Sequence, residues 1–219
     1  MSKDSSRVAS SPRTRERTRA RLLEAAVGVF AAKGLKRVTV DDLVGAAGFT
    51  RGAFYSNYDS VEEVFFEVFS RAGADMLSAA RGAVASVPSG EFDLVALGAV
   101  LDSLDEPGGA WLTLHHEATL LALRDDRARD LVAGFSREIR GQVVDVIDDV
   151  LVKLGRRASV PTAQIAEVVI AVQFRRMTLR ALGDTTLGGG APGEADASGW
   201  LRDQVLPGLL ASFSEPVGA

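Results

Sequence analysis

The sequence predicts an all-α protein of about nine helices, with a small N-terminal helical domain and a larger C-terminal helical bundle. Three observations support this fold class. Apolar residues recur at steps of three and four along most of the chain. No stretch shows the apolar and polar alternation of a half-buried strand. Clusters of glycine, proline and serine separate the periodic runs, as loops between helices do.

The composition fits a folded protein with a large core, because 47% of the 219 residues are apolar. Cysteine is absent, which excludes disulfides, thiolate metal sites and cysteine nucleophiles. No run of about 18 apolar residues predicts a membrane span, and the polar N-terminus lacks a signal-peptide pattern. We therefore expect a cytoplasmic protein.

Charge is unevenly distributed along the chain. Residues 1–60 carry eleven basic and six acidic side chains, a net charge of +5. Because the whole chain has a net charge of −4, the remaining residues carry −9. A basic end on an acidic body favours contact of that end with a polyanion such as nucleic acid. A solvated basic tail is the alternative interpretation.

The first helix is bounded by local signals. Residues 1–11 are serine-rich without an apolar period, which predicts a disordered basic tail. A helical pattern runs from Pro12, which suits a first turn, to Lys33, and Gly34 ends it. The arginines that open this helix form an arm that could reach a minor groove or flanking phosphates: Arg15, Arg17 and Arg19. The alternative is a solubilising arm.

Two short helices follow, joined by a tight turn. Thr39 is a plausible N-cap of the first, and Gly48 ends it. Thr50 can cap the second, which we predict to run from Arg51 to Tyr58. This spacing is typical of a helix-turn-helix, so residues 12–59 are predicted to form a DNA-binding domain.

The second helix of this motif has two faces. Phe54 and Tyr58 are an i, i+4 pair that can pack inward as ordinary aromatic core. The neighbouring arc carries short, flat or cationic side chains, which suit the base edges and phosphates of a major groove. Free N–H groups at the helix N-terminus also favour phosphate. The DNA contacts predicted on this helix are Thr50, Arg51, Gly52, Ala53, Tyr55 and Ser56.

The remaining chain predicts a bundle over residues 60–213 and a tail over 214–219. A long amphipathic helix runs from about Ser60 to Ser86. Five further helical patterns follow, at about residues 91–104, 108–124, 126–154, 162–183 and 200–213. The segment "EPGG" separates the first two of these, and a mobile glycine-rich loop precedes the last. Pro207 must kink or split the last helix.

The span from about Arg17 to Phe66 resembles the DNA-binding domain of the TetR family of bacterial transcriptional regulators. The family pattern has Ala-Ala and Phe in a first helix, then Gly, a Thr at a helix start, an Ala-Gly turn and a recognition helix with Gly, an aromatic residue and Tyr. The matching residues here are Ala25, Ala26, Phe30, Gly34, Thr39, Ala47, Gly48, Gly52, Phe54 and Tyr55. Beyond this span the likeness is limited to helix number, helix lengths and the glycine-rich loop.

Two residues depart from the family pattern. Asn57 stands at a phosphate-contacting place where the family often has His or Tyr, and Val61 stands where Lys is common. Asn can still donate to a phosphate, with a shorter reach, and the arm arginines can compensate for the lost lysine. We include Asn57 and Thr39 among the predicted DNA contacts.

The resemblance implies a homodimer formed through the last two helices and an interior ligand cavity in the bundle. Residues predicted at the dimer interface are Val168, Val172, Arg176, Leu179, Trp200, Val205 and Leu209. Candidate cavity residues are Phe92, Leu101, Trp111, His115, Glu117, Phe135, Ile139, Phe174 and Met177. For each of these, plain packing in the core is the alternative.

Metal binding and catalysis find little support in the sequence. His115, His116 and Glu117 are adjacent, so their side chains diverge on a helix, and no third ligand is in view. There is no phosphate-binding glycine loop, nucleophile elbow or zinc motif. We therefore predict no enzyme, no metal and no cofactor.

The sequence thus predicts a TetR-like repressor that leaves a palindromic operator when a small hydrophobic molecule binds. Its partners are double-stranded DNA, an unidentified effector and a second copy of the chain. The alternative is a helical module for small molecules or protein partners that has lost specific DNA binding, and Asn57 and Val61 are its best support.

Overall fold

The computed structural model describes residues 12–183 and 204–217. The α-helices of these residues are α1 (Pro12–Lys33), α2 (Val40–Ala47), α3 (Arg51–Tyr55), α4 (Val61–Ser86), α5 (Leu94–Asp102), α6 (Asp105–Ala122), α7 (Asp126–Lys153), α8 (Thr162–Leu182) and α9 (Leu206–Phe213). Short 3₁₀ turns occur at Leu35–Arg37 and Ser89–Glu91, and two short strands are β1 (Arg156–Ala158) and β2 (Ser214–Pro216). The predicted all-α fold is confirmed.

The chain divides into two compact units, Met1–Val68 and Phe69–Ala219. Helix α4 contributes residues to both. The predicted boundary between residues 59 and 60 stays a prediction. The predicted tail at 1–11, the loop from 184 to 199 and Trp200 lie outside the described residues.

The first unit consists of α1 to α3 and the beginning of α4. The apolar side of α1 is fully buried at Leu22, Ala26 and Phe30. The ring of Phe30 meets that of Phe65 edge to face, with ring centroids 5.2 Å apart. This arrangement gives both rings their favoured geometry and joins α1 to the start of α4.

The second unit is a helical bundle in which α6, α7 and α8 pack against one another. Its main core combines apolar residues of α4, α5, α7, α8 and α9 with Phe92. Asp93 and Asp125 directly precede α5 and α7, and their side chains accept hydrogen bonds from Ala96 N and Ala128 N. These are ordinary N-caps that satisfy donors at the helix starts.

The beginning of α6 corrects a prediction. The segment "EPGG" was predicted to separate two helices, but α6 begins at Asp105 and includes it. Proline is tolerated in the first turn of a helix, because the backbone N–H groups of that turn have no acceptor within the helix. Gly108 packs closely on α8, since a Cβ there would lie 2.8 Å from Met177 Cε. Tertiary packing therefore favours helix where the local sequence favours a break.

The end of the chain also differs from prediction. Residues 214–216, assigned to a tail, form β2 and pair antiparallel with β1, with Arg157 opposite Glu215. Arg156 Nε donates to Ser214 Oγ at 2.7 Å. These strands of three residues are too short to show an alternating pattern, so no sequence signal predicted them. Pro207 lies in the first turn of α9, where proline is favoured.

Candidate nucleic-acid interface and interior cavity

The first short helix, α2, is held at its start by a reciprocal cap. Thr39 Oγ1 accepts from Asp42 N at 3.3 Å, and Asp42 Oδ2 accepts from Thr39 N at 3.0 Å. Lys33 Nζ donates to Asp42 Oδ1 at 2.6 Å. These contacts, led by the Lys33 hydrogen bond, lower the pKa of Asp42 to about 2. Thr39 therefore has a structural role in addition to its predicted DNA contact.

The turn between α2 and α3 is made by Gly48, Phe49 and Thr50. Gly48 has φ 71°, a left-handed conformation that favours glycine. Phe49 N–H closes the end of α2 by donating to Val44 O at 2.8 Å. Thr50 Oγ1 accepts from Ala53 N at 3.3 Å and so caps α3. Local chemistry therefore builds the predicted helix-turn-helix as the spacing suggested.

Helix α3 has one buried and one exposed side. Phe54 is 0% exposed and Tyr58, in the turn after α3, is also buried, with ring centroids 5.9 Å apart. Tyr55 is 55% exposed. The helix ends at Tyr55, three residues earlier than predicted, because Ser56, Asn57 and Tyr58 form its closing turn.

The predicted contacts on α3 fall mainly on its exposed side. Thr50, Arg51, Gly52, Tyr55 and Ser56 are exposed, whereas Ala53 and Asn57 are half-buried. Ser56 Oγ and Asn57 Nδ2 donate to carbonyls of α3 itself, at 2.8 Å to Gly52 O and 2.7 Å to Ala53 O. Asn57 Nδ2, the atom that could donate to a phosphate, is therefore already hydrogen-bonded to the end of α3.

Gly52 leaves room on the outer side of α3. A Cβ at this position would meet Thr50 Oγ1 at 3.8 Å, an ordinary contact within the described chain. Packing inside the unit therefore does not require glycine at residue 52. Glycine in an exposed helix lowers stability by about 1 kcal/mol relative to alanine. Its presence at residue 52 is consistent with a binding partner whose surface must approach the backbone of α3 closely.

Arg51 is the cation of the exposed side. Its guanidinium lies 3.5 Å from Asp41 Oδ2, and both side chains are well exposed. The Tyr55 hydroxyl first, and Asp41 second, raise the pKa of Arg51. An exposed ion pair at this distance contributes little to folding stability. Arg51 can therefore leave Asp41 and bind a phosphate or a guanine with little loss of stability.

Three arginines of α1 donate to carbonyls at the ends of α2 and α3. Arg15 donates to Ser56 O, Arg19 to Asn57 O at 3.4 Å and Arg21 to Ala47 O at 3.2 Å. A cation near the last carbonyls of a helix is favourable. Arg15 and Arg19, predicted as DNA contacts, thus also support the motif, while Arg17 is exposed. Sequence reasoning missed Arg21, which has no local pattern.

Arg19 makes the most extensive of these contacts. Its Nε donates to Glu67 Oε1 at 3.0 Å, and its guanidinium lies 4.5 Å from the centre of the Tyr58 ring. The Glu67 hydrogen bond is the main cause that raises the pKa of Arg19, while burial raises the pKa of Tyr58. Arg19 therefore connects α1, the α3 turn and the start of α4 within the first unit.

The second unit contains an interior cavity of about 130 Å³. Helices α4 to α9 all contribute to its wall, which is almost wholly apolar. The predicted cavity residues that line it are Leu101, Trp111, Ile139, Phe174 and Met177. Four others do not line it: Phe92, His115, Glu117 and Phe135. Helical periodicity shows that such residues face inward, but it cannot separate a cavity wall from filled core.

His115 and Phe135 belong instead to a packed aromatic cluster with Phe69, Trp111 and Phe174. The His115 ring centroid lies 4.5 Å from that of Phe174 and 5.1 Å from that of Trp111. Burial, with a smaller effect of neighbouring His116, lowers the pKa of His115 to about 4. His115 is consequently neutral near pH 7. Phe92 is buried elsewhere, with Lys153 Nζ 5.9 Å from its ring centre.

Two predicted interface residues lie in the interior of the chain, which corrects the prediction. Arg176 is 0% exposed, and Leu179 is equally buried, with Val172 and Val205 packed around it. Arg176 donates to Leu101 O and, at 3.4 Å, to Asp102 Oδ1. Its charge meets the C-terminal end of α5, which explains why an arginine is buried here. Val168, Val172, Val205 and Leu209 are half-buried.

Two donors near the cavity have no hydrogen-bond partner within the described residues. These are Gln173 Nε2 and Trp111 Nε1, and both residues belong to the cavity wall. Gln173 Oε1, by contrast, accepts from Arg176 Nε at 3.1 Å. Buried donors without partners are uncommon in folded proteins and call for an explanation.

The described residues hold no group of three His, Asp or Glu side chains placed to bind a metal ion. Over the same part of the chain, no helix has the length and apolar character needed to cross a membrane.

Comparison with known proteins relates the first unit to a family of regulators. Residues 22–68 match the family model of the bacterial regulatory proteins of the tetR family. The chain is 41% identical over 51 residues to the uncharacterized HTH-type transcriptional regulator YfiR of Bacillus subtilis (strain 168), covering 23% of this chain and 25% of that protein. It is 36% identical over 53 residues to the probable acrEF/envCD operon repressor of Escherichia coli (strain K12), covering 24% of each.

These matches span about a quarter of the length of the curated relatives. The whole chain is similar in fold to the solved structure of Salmonella enterica GusR, with a TM-score of 0.67 and 18% identity. That similarity covers 92% of this chain and 98% of GusR. At this identity the likeness shows the fold alone.

Proposed function

We propose that this chain, which belongs to the TetR family of bacterial regulatory proteins, is a transcriptional regulator that represses genes from a palindromic operator. It acts in the bacterial cytoplasm and associates with the nucleoid while bound to DNA. A small, mostly apolar molecule binds in the C-terminal bundle and releases the repressor. The curated relative described as an operon repressor supports this assignment through the shared N-terminal segment.

The single observation that carries the DNA-binding part is the two-sided arrangement of α3. Phe54 and Tyr58 anchor the helix in the unit, while Arg51, Gly52 and Tyr55 are exposed together. A helix with short, flat and cationic side chains on its open face suits a major groove. The capped N-terminus of α3, with Thr50, adds N–H groups that favour a phosphate.

The contact face of α3 is small, and a small DNA-contact surface favours a dimer. One helix-turn-helix covers a single half-site, and two-fold dimers read two half-sites about one helical turn, or a multiple, apart. Val168 and Val172 on α8, Val205 directly before α9 and Leu209 on α9 remain partly accessible in a single chain. We propose that they lie at the contact with a second copy.

The interior cavity supports a ligand-controlled regulator. An apolar cavity lined by six helices suits a small molecule better than it suits a macromolecule. A ligand can shift the equilibrium between conformers only by its difference in affinity for them. We propose that the effector prefers the conformer in which the two recognition helices do not match the half-site spacing.

The assignment is tested by a gel shift with DNA from upstream of the protein's own gene. We expect the wild type to bind this DNA specifically and the double variant Arg51→Ala/Tyr55→Phe to lose at least tenfold in affinity, because each groove contact contributes about 1–3 kcal/mol. Arg129→Ala removes an equally exposed arginine of the second unit and serves as the matched control.

Each result discriminates between the two readings of the sequence. If the double variant binds as tightly as the wild type, the assignment of the contact face on α3 is wrong. Absence of specific binding by a folded wild-type dimer, with this DNA or any fragment selected from a random pool, supports the alternative of a module without specific DNA binding.

A further inference from the structure

Two adjacent aspartates near the start of α2 have different partners. Asp41 and Asp42 both lie in the first turn of this helix. The Asp42 carboxylate is engaged by the preceding chain, because it accepts hydrogen bonds from Thr39 and from Lys33. Asp41 instead pairs with Arg51, the first residue of α3. A carboxylate of α2 thus lies beside the cation on the exposed side of α3.

The fold gains little stability from Asp41. A carboxylate in a first turn favours a helix, but the reciprocal cap formed with Asp42 already supplies one in this turn. Asp41 Oδ2 lies 3.5 Å from Arg51 Nη1, and the two side chains are 68% and 62% exposed. Exposed ion pairs contribute little to folding stability. The main effect of Asp41 is therefore on what Arg51 can bind.

Asp41 engages one nitrogen of the Arg51 guanidinium. Arginine has five N–H donors in a planar fork, and Asp41 Oδ2 accepts from Nη1. Tyr55 also acts on this group, since its hydroxyl is the first cause and Asp41 the second that raise the pKa of Arg51. The remaining donors suffice for the two acceptors of a guanine, O6 and N7. Arg51 can therefore keep its contact with Asp41 while it binds a guanine.

A phosphate and a guanine differ in charge, and Asp41 is sensitive to that difference. The guanine edge is uncharged and accepts hydrogen bonds from the guanidinium without repelling a carboxylate. A phosphate bound to the same guanidinium would bring a second anion close to Asp41, and like charges at such distances repel even in water. Asp41 therefore makes a phosphate the less favourable of the two partners of Arg51.

We propose that Asp41 is a specificity-determining residue, which directs Arg51 away from phosphates and towards a guanine in the major groove. This inference rests on the proposed function in taking α3 as the DNA-contact helix. Asp41 is a positioning residue, because it acts on DNA through Arg51. It lowers the affinity for DNA of unrelated sequence more than it lowers the affinity for the operator.

The first test measures binding of the full chain to a duplex of unrelated sequence by fluorescence anisotropy. We expect Asp41→Asn to bind it about 3- to 10-fold more tightly than the wild type, because Arg51 becomes free to bind a phosphate. The slope of log association constant against log salt should become steeper by about 0.9, the value for one phosphate contact. In the Arg51→Ala background, Asp41→Asn should change the affinity by less than about twofold, since the cation through which it acts is gone.

The second test compares the unrelated duplex with the fragment that binds specifically in the gel shift. We expect the ratio of the two affinities to fall at least about threefold in Asp41→Asn. Asp41→Glu keeps the carboxylate and should keep the ratio. In fragments altered at single base pairs, Asp41→Asn should lose discrimination at the same guanine as Arg51→Ala. Glu62→Gln removes an exposed carboxylate from the first turn of α4 and is the matched control, which should leave the ratio unchanged.

Three results would overturn the inference. The first is an Asp41→Asn variant whose affinities for both duplexes stay unchanged or rise by the same factor, as general repulsion of DNA predicts. The second is an effect of Asp41→Asn that persists in the Arg51→Ala background. The third is a loss of stability in urea denaturation as large as that of Asp42→Asn, which would make Asp41 a structural residue.

The two tests also separate this inference from the proposed function. Specific operator binding with an unchanged ratio in Asp41→Asn refutes this inference alone. Absence of any specific fragment, together with the expected response on unrelated DNA, refutes the proposed function and leaves the restraint of Arg51 by Asp41 in place.

Discussion

Single residues of the first unit show that arginines with the same predicted role differ in their structural surroundings. Arg19 and Arg17 are two positions apart on α1 and were predicted to have the same role. Arg19 meets Glu67, Asn57 O and the Tyr58 ring, whereas Arg17 is exposed. The difference is one of helical phase, because residues two apart point to different sides of a helix.

Replacing these arginines separates the two roles. We expect Arg19→Ala to lower the free energy of unfolding by about 1–2 kcal/mol, since it removes a partly buried ion pair and a cation–π contact. Arg17→Ala should change stability by less than about 0.5 kcal/mol. Urea denaturation of both variants measures this, and equal stabilities would show that Arg19 does not support the motif.

His115 gives the second unit a predictable response to pH. Its pKa falls from 6.5 in the unfolded chain to about 4 in the fold, where rings of Phe69, Trp111 and Phe174 surround it beside His116. Between about pH 6.5 and pH 4 the unfolded state binds a proton on His115 that the folded state does not. The free energy of unfolding should therefore fall as the pH drops from about 6.5 to about 4.

The size of this effect is on the order of 2 kcal/mol after allowance for partial exposure. The difference in stability between wild type and His115→Phe, measured by denaturation at pH 7 and pH 4.5, isolates it from the carboxylates that also titrate. His116→Asn should keep the pH response. A wild-type response no larger than that of His115→Phe would show that His115 is not the group responsible.

At the scale of elements, close approach between helices decides where glycine is required. On α4, a Cβ at Gly73 would lie 2.5 Å from Phe135 Cζ and 2.9 Å from Trp111 Nε1. At Gly82, on the same helix, the described chain leaves the space around a Cβ open within 4 Å. The first glycine permits α4 to meet an aromatic cluster, and the second only lowers helix propensity.

Gly73→Ala and Gly82→Ala therefore form a matched pair. We expect Gly73→Ala to cost about 1–3 kcal/mol, because stiff rings must move in a packed core. Gly82→Ala should stabilise by about 0.4–1 kcal/mol through helix propensity and reduced freedom of the unfolded chain. Thermal unfolding compares them, and a neutral Gly73→Ala would mean that the cluster is looser than the structure shows.

Prediction of the elements from the sequence succeeded where their signals are local. The bounds of α1, Pro12 and Lys33, and the caps Thr39 and Thr50 were predicted, since each depends on residues within one turn. The start of α6 was wrong because Gly108 packs on Met177, which is far away in sequence. The strand pair β1–β2 depends on residues about sixty positions apart, so no local window could predict it.

At the scale of the whole molecule, uneven charge should govern the interaction with DNA. The first sixty residues carry +5 and the remainder −9, so the attraction is concentrated at one end of the sequence. Each phosphate neutralised by a basic side chain releases counterions, which makes binding weaken as salt increases.

The affinity for operator DNA should therefore fall linearly on a plot of log association constant against log salt. Arg51→Ala should reduce the magnitude of the slope by about 0.9 if Arg51 binds a phosphate, whereas Arg129→Ala should leave it unchanged. Fluorescence anisotropy at a series of salt concentrations measures this. A binding constant that does not depend on salt would contradict the electrostatic part of the proposal.

The sequence alone determined the helical fold, the position of the helix-turn-helix and the division of α3 into an anchored and an exposed side. These features depend on helical periodicity and on caps, which are interactions between near neighbours. Only the tertiary structure decided that Arg15, Arg19 and Arg21 support the motif, that Arg176 is buried, and that Gln173 Nε2 has no hydrogen-bond partner within the described residues. The partners of these side chains come from other helices, and composition and spacing do not specify which distant groups meet inside a fold.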